Sequence, residues 1–420
     1  MSTVAGPRAL TFGEARARVM AAVRALPPET VPLAEARGRA LRRADPAGHD
    51  LPPFRNASMD GYAVVTQDLA GATTAAPVTL PVSEVLPAGR VASRPVRRGE
   101  AMRIMTGAQV PDGANAVVAF EDCTRLDDAA PERVRFTRPA RHDENIRPAG
   151  RDLREGEMPL TEGRELSAYD LGLLAALGEA RLRVGPRARV GILSTGDELL
   201  DVDQALKPGA IRDSNRPMLA LLAEECGAVV TLSERVRDEP RLVVERVRAA
   251  LPRCDVLFTI GGVSAGDFDP VKQGLADLGA IELWRVAMKP GRPQAFGAPD
   301  GKLFFGLPGN PASVACVFEM LARPALRALM GHADVERPRL IVHSTQAVPS
   351  REGRTDFVRV TLERRDEAWW ATAAGDQVSG HLTPQSRAHA LLVVDDARAA
   401  LAPGDRAEAV VLRWPAFASA

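Results

Sequence analysis

A run of apolar residues, CDVLFTI at 254–260, passes straight into Gly261 and Gly262 and then into a turn carrying Ser264, Gly266, Asp267 and Asp269. Pro270 follows and opens a helical stretch, VKQGLADLG at 271–279. A short apolar strand, paired glycines and a helix with proline at its first position, where a missing N–H costs nothing, leave few folds open. The strand is buried, the glycines turn the chain tightly, and the helix start presents free backbone N–H groups. Such a corner favours a phosphate, and the carboxylates beside it could hold a divalent cation against it. For one turn alone, Asp269 as a helix cap and the glycines as a tight bend would be explanation enough.

The chain makes this kind of turn three times. From about 187 to 330 it alternates apolar strands (188–194, 228–236, 254–260, 282–288, 302–307) with helical segments (215–226, 240–251, 269–278, 310–321). Nearly continuous apolar strands separated by helices imply a doubly wound α/β domain, a parallel sheet covered on both faces. The turns STGDEL (194–199), GGVSAGDFDP (261–270) and LPGNPAS (307–313) each follow a strand directly, so they share the carboxyl edge where such sheets bind ligands. This makes Ser194, Thr195, Gly196, Gly261, Gly262, Ser264, Pro308, Gly309, Asn310 and Ser313 candidates for holding a phosphate-bearing ligand. None of the turns is a Walker A or GxGxxG sequence, so an ordinary NTPase or NAD enzyme is not indicated. Asp197, Glu198, Asp238 and Asp269 fall at or just beyond strand ends, with Asp213 in the loop after STGDEL. Any one of them reads as a solvated acid; together on one edge they call for a divalent cation. Lys289 and Arg292 in MKPGRP end the fourth strand and suit an oxyanion, or else a solvated loop.

The flanking text is different. TFGEARARVMAAVRAL (11–26) reads as an amphipathic helix with a Thr11–Glu14 capping box, AEARGRALRRA (34–44) as a second helix, and ELSAYDLGLLAALG (165–178) as a third, started by Ser167 and stopped by Gly178. Between them lie an extended Pro-rich piece leading to the turn Asp60-Gly61, then short β-runs from about 76 to 137. Residues 1–50 and 145–186 are therefore expected to form a helical domain from which a β-domain, 51–144, loops out. The α/β domain takes 187–332, and 336–420 returns to strands, a β-sandwich or small barrel. At 420 residues several domains are required.

Lys plus Arg (54) equals Asp plus Glu (54) and aromatics are 4% of the chain, which argues against a nucleic-acid partner. The four cysteines are far apart and the six histidines show no metal-ligand spacing, so the sulfurs read as small core residues. Without a leader-like start or an apolar run near the ~18 residues of a membrane span, the expectation is a cytoplasmic protein with no membrane partner.

Taken as a set, SMDGYAV, RIMTGAQVP, NIRPAGRD, STGDEL, DSNRPML, GGVSAGDFDPVK, MKPGRP, LPGNPAS and VSGHL resemble, in order, spacing and placement, the MoeA family of molybdopterin molybdenumtransferases, which includes the E domain of gephyrin. The resemblance spans nearly the whole chain and implies a helical part, an inserted β-domain, an α/β molybdenum-cofactor-biosynthesis domain and a C-terminal β-barrel. It implies insertion of molybdenum from molybdate into adenylylated molybdopterin with release of AMP, assisted by Mg2+, in a homodimer with shared sites that also contacts the adenylyltransferase. By position it implies catalytic roles for Asp60, Thr106, Asp152, Glu198, Asp238 and Asp269, with Asp238 and Asp269 at the metal. Lys289, Arg292, Ser313 and Ser379 would meet molybdate, a tetrahedral dianion that suits cations and hydroxyls rather than thiolates. The chain departs from the family pattern at Arg292, where lysine is usual, at Arg151 in Gly150-Arg151-Asp152, and at Pro270, where tyrosine is usual. The alternatives are an adenylyltransferase, which has no need of SMDGYAV or MTGA, and a gephyrin-like scaffold.

Overall fold

The structure is a computed structural model in which residues 9–126, 132–261 and 281–416 are described. The first helix starts where its sequence predicts: α1 spans Phe12–Ala22, and Thr11 and Glu14 exchange the two bonds of a capping box, Glu14 N to Thr11 Oγ1 at 3.1 Å and Thr11 N to Glu14 Oε2 at 2.8 Å. The expected helix at 34–44 does not form. A single 3-10 turn, Leu33–Glu35, is followed by Gly38 at φ +73°, whose N–H donates to the Leu166 carbonyl, and by bridges from Ala40 to Glu165 and from Leu41 to Val184. Pairing with segments distant in the chain overrides a weak local preference, and Gly38 supplies the left-handed residue that breaks it.

The chain divides into two compact units, Arg43–Thr161 with Ala168–Arg181, and the remainder. The smaller unit is built on a six-stranded sheet of β1 (Gly61–Val64), β2 (Val78–Leu86), β3 (Ala101–Ile104), β4 (Ala116–Ala119), β5 (Cys123–Leu126) and β6 (Arg133–Phe136), in the order β4-β1-β3-β2-β6-β5. Alternation sends Tyr62, Val64 and Val118 to one core and Ala63, Met102 and Val117 to another, as a strand's period of two requires. The third expected helix belongs to this unit as α2 (Ala168–Ala176), with Gly178 at φ +85° ending it.

In the larger unit the α/β text becomes β7 (Arg189–Thr195), α3 (Asn215–Glu225), β8 (Val229–Val236), α4 (Pro240–Ala250), β9 (Val256–Ile260), β10 (Ile281–Lys289), β11 (Pro293–Gly297), β12 (Leu303–Leu307) and α5 (Pro311–Val317). The strand order is β8-β7-β9-β12-β11-β10; the first four run parallel, and β11 pairs antiparallel with both neighbours. The sheet is thus mixed where the sequence suggested a parallel one, because Pro293–Gly297, five residues beginning in proline and ending in glycine, is a strand that carries no strand-like pattern. Val190, Ile192, Phe258 and Phe305 face a core shared with α1, α3 and α5, while Leu193, Leu257 and Phe304 face α4, so helices cover both sides. The helix expected at 269–278 lies outside the described residues.

The sheet continues from β10 into β14 (Thr355–Arg365), which follows β13 (Arg339–Ser344) in the chain and precedes β15 (Ala368–Ala373), β16 (Ala390–Val394) and β17 (Arg406–Val411). These five close in the order β14-β15-β13-β17-β16 and back to β14, a small barrel that leaves no open edge within the ring.

Candidate active site

Because β7, β9 and β12 are parallel neighbours, their ends bring Ser194, Thr195 and Gly196, then Gly261, then Pro308, Gly309 and Asn310 to one edge of the sheet. Gly261 holds φ +88° and its N–H donates to the Leu307 carbonyl at 3.0 Å; a Cβ there would lie 2.8 Å from both the carbonyl and the hydroxyl oxygen of Thr195. Only glycine fits that approach. At Gly196 the nearest group is the Glu198 carboxylate, 2.7 Å from where a Cβ would stand, the end of an exposed side chain that can move aside. Ser194 is fully buried and its hydroxyl donates to Asp213 at 2.6 Å, so its side chain is committed within the protein. Asp213 in turn is an internal partner and not one of the exposed acids of the edge. Gly262, Ser264 and Asp269 lie outside the described residues.

The predicted oxyanion residues converge. A cavity of about 770 Å³ is lined by Lys289, Arg292, Pro308, Asn310, Ser313 and Ser379. Four cations, Lys289, Arg292, Arg351 and Arg354, face two acids, Glu352 and Asp376, around it. The Ser379 carbonyl accepts from Ala312 N at 3.0 Å, which fastens the barrel loop 376–381 to the first turn of α5. Sequence reasoning missed Arg351, Arg354, Gln377 and Arg359. Arg354 is bidentate to the buried Asp356 at 2.6 and 2.8 Å, which spends most of its charge there. Arg359 is 1% exposed and donates to the carbonyls of Asp376, Val378 and His381 and to Gln377 Oε1, so it shapes the loop that carries Ser379. Burial holds its pKa below the usual arginine value.

The acids Asp197, Glu198 and Asp238 are exposed at the ends of β7 and β8, with Asp238 N donating to Asp197 Oδ1 at 3.3 Å. Among the described residues no three His, Cys, Asp or Glu side chains are grouped closely enough to hold a metal by themselves. A donor set of carboxylate oxygens nonetheless suits Mg2+, which keeps several waters and takes one or two carboxylates with substrate phosphates. Sulfur is absent from this chemistry. Cys226 and Cys254 are buried, and burial pushes both thiols up to about 11.

In the smaller unit, Asp60 Oδ1 accepts from Thr106 N and from Thr106 Oγ1, both at 2.7 Å. These two bonds hold its pKa below the ordinary aspartate value. The sign follows: the Asp60–Thr106 contact contributes fully above the unfolded aspartate pKa and is lost as pH falls through the lowered folded value. Thr106→Val should raise the Asp60 pKa toward the ordinary value in a carboxyl NMR titration; an unmoved titration would break the link. Asp152 is exposed, and its backbone N–H donates to Leu51 O at 2.9 Å.

Residues 10–178 match the family described as MoeA N-terminal region (domain I and II), residues 191–328 that of a probable molybdopterin binding domain, and residues 342–412 the MoeA C-terminal region (domain IV). The chain is 39% identical over 384 residues to molybdopterin molybdenumtransferase 2 of Mycobacterium tuberculosis, covering 89% of this chain and 92% of that one. It is 35% identical over 323 residues to the molybdopterin molybdenumtransferase of Staphylococcus aureus, 77% of this chain and 76% of the relative. The crystal structure of a molybdopterin biosynthesis moeA protein from Pyrococcus horikoshii superposes with a TM-score of 0.82 at 28% identity, over 96% of this chain and all of that one. No described helix is long and apolar enough to cross a membrane.

Proposed function

The chain belongs to the MoeA family of molybdopterin molybdenumtransferases, and from that premise we propose that it inserts molybdenum from molybdate into adenylylated molybdopterin with release of AMP, a late step of molybdenum cofactor biosynthesis. The observation that carries the reading is the cavity in which Lys289, Arg292, Ser313 and Ser379 meet beside the Pro308-Gly309-Asn310 turn. A tetrahedral dianion is recognised by cations and hydroxyls, and this cavity offers both; the sulfurs that finally hold the metal come from the substrate. Arg292 brings a planar fork where a lysine would bring a point charge, so it offers two parallel N–H donors to adjacent oxygens. The backbone turns at Gly196, Gly261 and Gly309 would take the phosphates of the adenylyl group. Glu198 and Asp238, with Asp269, are the residues that would hold Mg2+, which supplies charge neutralisation when two anions share the edge.

The reading extends to a cytoplasmic two-fold dimer that receives its substrate from the adenylyltransferase. Asp60, Thr106 and Asp152 of one subunit would then serve the site of the other, an isologous arrangement that builds two equal sites. The test is direct. Purified chain with adenylylated molybdopterin should release AMP only when molybdate is present and only with Mg2+, chelation should stop it, and added Mg2+ should restore it. AMP release indifferent to molybdate, or adenylylation of free molybdopterin from ATP instead, would overturn the assignment.

A further inference from the structure

One motif has no task in that account: Asp213-Ser214-Asn215, at the start of α3. Each end of it grips a different ligand turn. Asp213 is 2% exposed, and its Oδ2 accepts from Ser194 Oγ at 2.6 Å at the end of β7, while its own N–H donates to the Leu200 carbonyl at 2.8 Å on the far side of the same turn. Two residues on, Asn215 Nδ2 donates to the Gly309 carbonyl at 2.6 Å, on the turn that follows β12. Arg216 completes the assembly: its N–H and Nε donate to Asp213 at 3.0 and 3.1 Å, and its Nη2 donates to Asp201 at 2.7 Å.

β7 and β12 are not neighbours in the sheet, since β9 lies between them. The ladders through β9 space the two strand ends, but no ladder hydrogen bond joins the Ser194–Leu200 turn directly to the Pro308–Asn310 turn beyond them. The helix start does. We infer that Asp213 and Asn215 are positioning residues that bracket these two turns, so that a phosphate-bearing ligand meets both in one fixed geometry. This rests on the molybdenum-transfer reading for its rate consequence and on the hydrogen bonds alone for its structural one. The buried carboxylate supports the geometry, because its bonds from a hydroxyl, a backbone N–H and a guanidinium leave it little freedom to swing, and a side chain so held transmits position rather than charge.

The discriminating substitution is Asn215→Asp. Asn215 is the first residue of the helix, after the Ser214 cap, and a carboxylate in the first turn is favoured by the helix dipole, so a purely local role predicts a silent variant. The bracket predicts otherwise, because a carboxylate has no N–H for Gly309 and faces a carbonyl instead. Misplacing a turn by about 1 Å costs on the order of 100-fold in rate, so kcat/KM for AMP release should fall roughly 10- to 100-fold. The thermal midpoint should stay close to that of the parent. In hydrogen–deuterium exchange on the full chain, peptides covering 308–313 should exchange faster in the variant while those in β8 do not, and Ser194→Ala should loosen 196–200 in the same selective way. An Asn215→Asp protein with unchanged turnover, or one whose faster exchange is spread evenly over the sheet, would overturn the bracket. A parent chain that releases no AMP would overturn the functional reading, with the exchange arm still deciding the bracket by itself.

Discussion

A chain carrying Lys289→Met and Arg292→Met together should require on the order of 1000-fold more molybdate for half-maximal AMP release, while folding as the parent does. On the proposed reading each cation would make charge-assisted hydrogen bonds to the oxyanion worth about 1.5–3 kcal/mol, and about 1.4 kcal/mol is tenfold, so two of them span roughly 100- to 10,000-fold. Both side chains are exposed at the rim of the cavity, where substitutions usually change stability by no more than about 0.5 kcal/mol. Arg354→Met is the useful contrast. Its guanidinium is already bidentate to Asp356, so its loss should unsettle the strand end by stranding a buried carboxylate, and the effect should appear in the thermal midpoint before it appears in molybdate dependence. Arg292→Lys should cost less than tenfold, since the sign of the charge is kept and only the fork is lost. Initial rates of AMP release against molybdate concentration decide the double variant and Arg292→Lys, and a thermal melt beside them decides Arg354→Met. A double variant with unaltered molybdate dependence would remove the oxyanion from this cavity.

How much of this was visible in the residues depends on the reach of each interaction. The capping box at Thr11 and Glu14 acts over three residues and was read directly. The strand–helix alternation from β7 to β12 is legible, β11 excepted, because nearly continuous apolar strands separated by helical segments mark the text. At 34–44 the same reasoning fails, since Gly38, Ala40 and Leu41 take their partners from 163–185, and Gly38 is the one local residue that argues against a helix there. Lys289, Arg292, Ser313 and Ser379 of the cavity were found through motifs, whereas Gln377 of its lining and Arg359, buried behind the Ser379 loop, were not. Their contacts join segments some twenty residues apart. Arg359 did leave one trace. In TDFVRV, Val358 and Val360 face the barrel core and Phe357 the α/β core, so Arg359 stands on an apolar face where a charge calls for partners. The backbone carbonyls of 376–381 are those partners.

Mixing two inactive proteins should restore activity if the active sites are shared between subunits. Asp60 and Thr106 sit in a unit with its own two cores, and Lys289 and Arg292 in the other, so each lesion can be made without disturbing the fold that carries the other. A subunit with Asp60→Ala and a subunit with Lys289→Met and Arg292→Met each form homodimers in which both sites are damaged. In a mixed dimer with crossed sites, one site combines both lesions and the other contains neither. That dimer should have about half the activity of the parent; random exchange of equal amounts makes about half of all dimers mixed, so the bulk solution should recover roughly a quarter. If the residues instead serve the site of their own chain, every site keeps one lesion whatever the pairing, and mixing recovers nothing. Subunit exchange must be shown independently, for example by energy transfer between labelled chains. A mixture that exchanges freely yet stays inactive would place Asp60, Thr106, Lys289 and Arg292 at the site of a single chain, and a monomer with full turnover would do the same without any mixing.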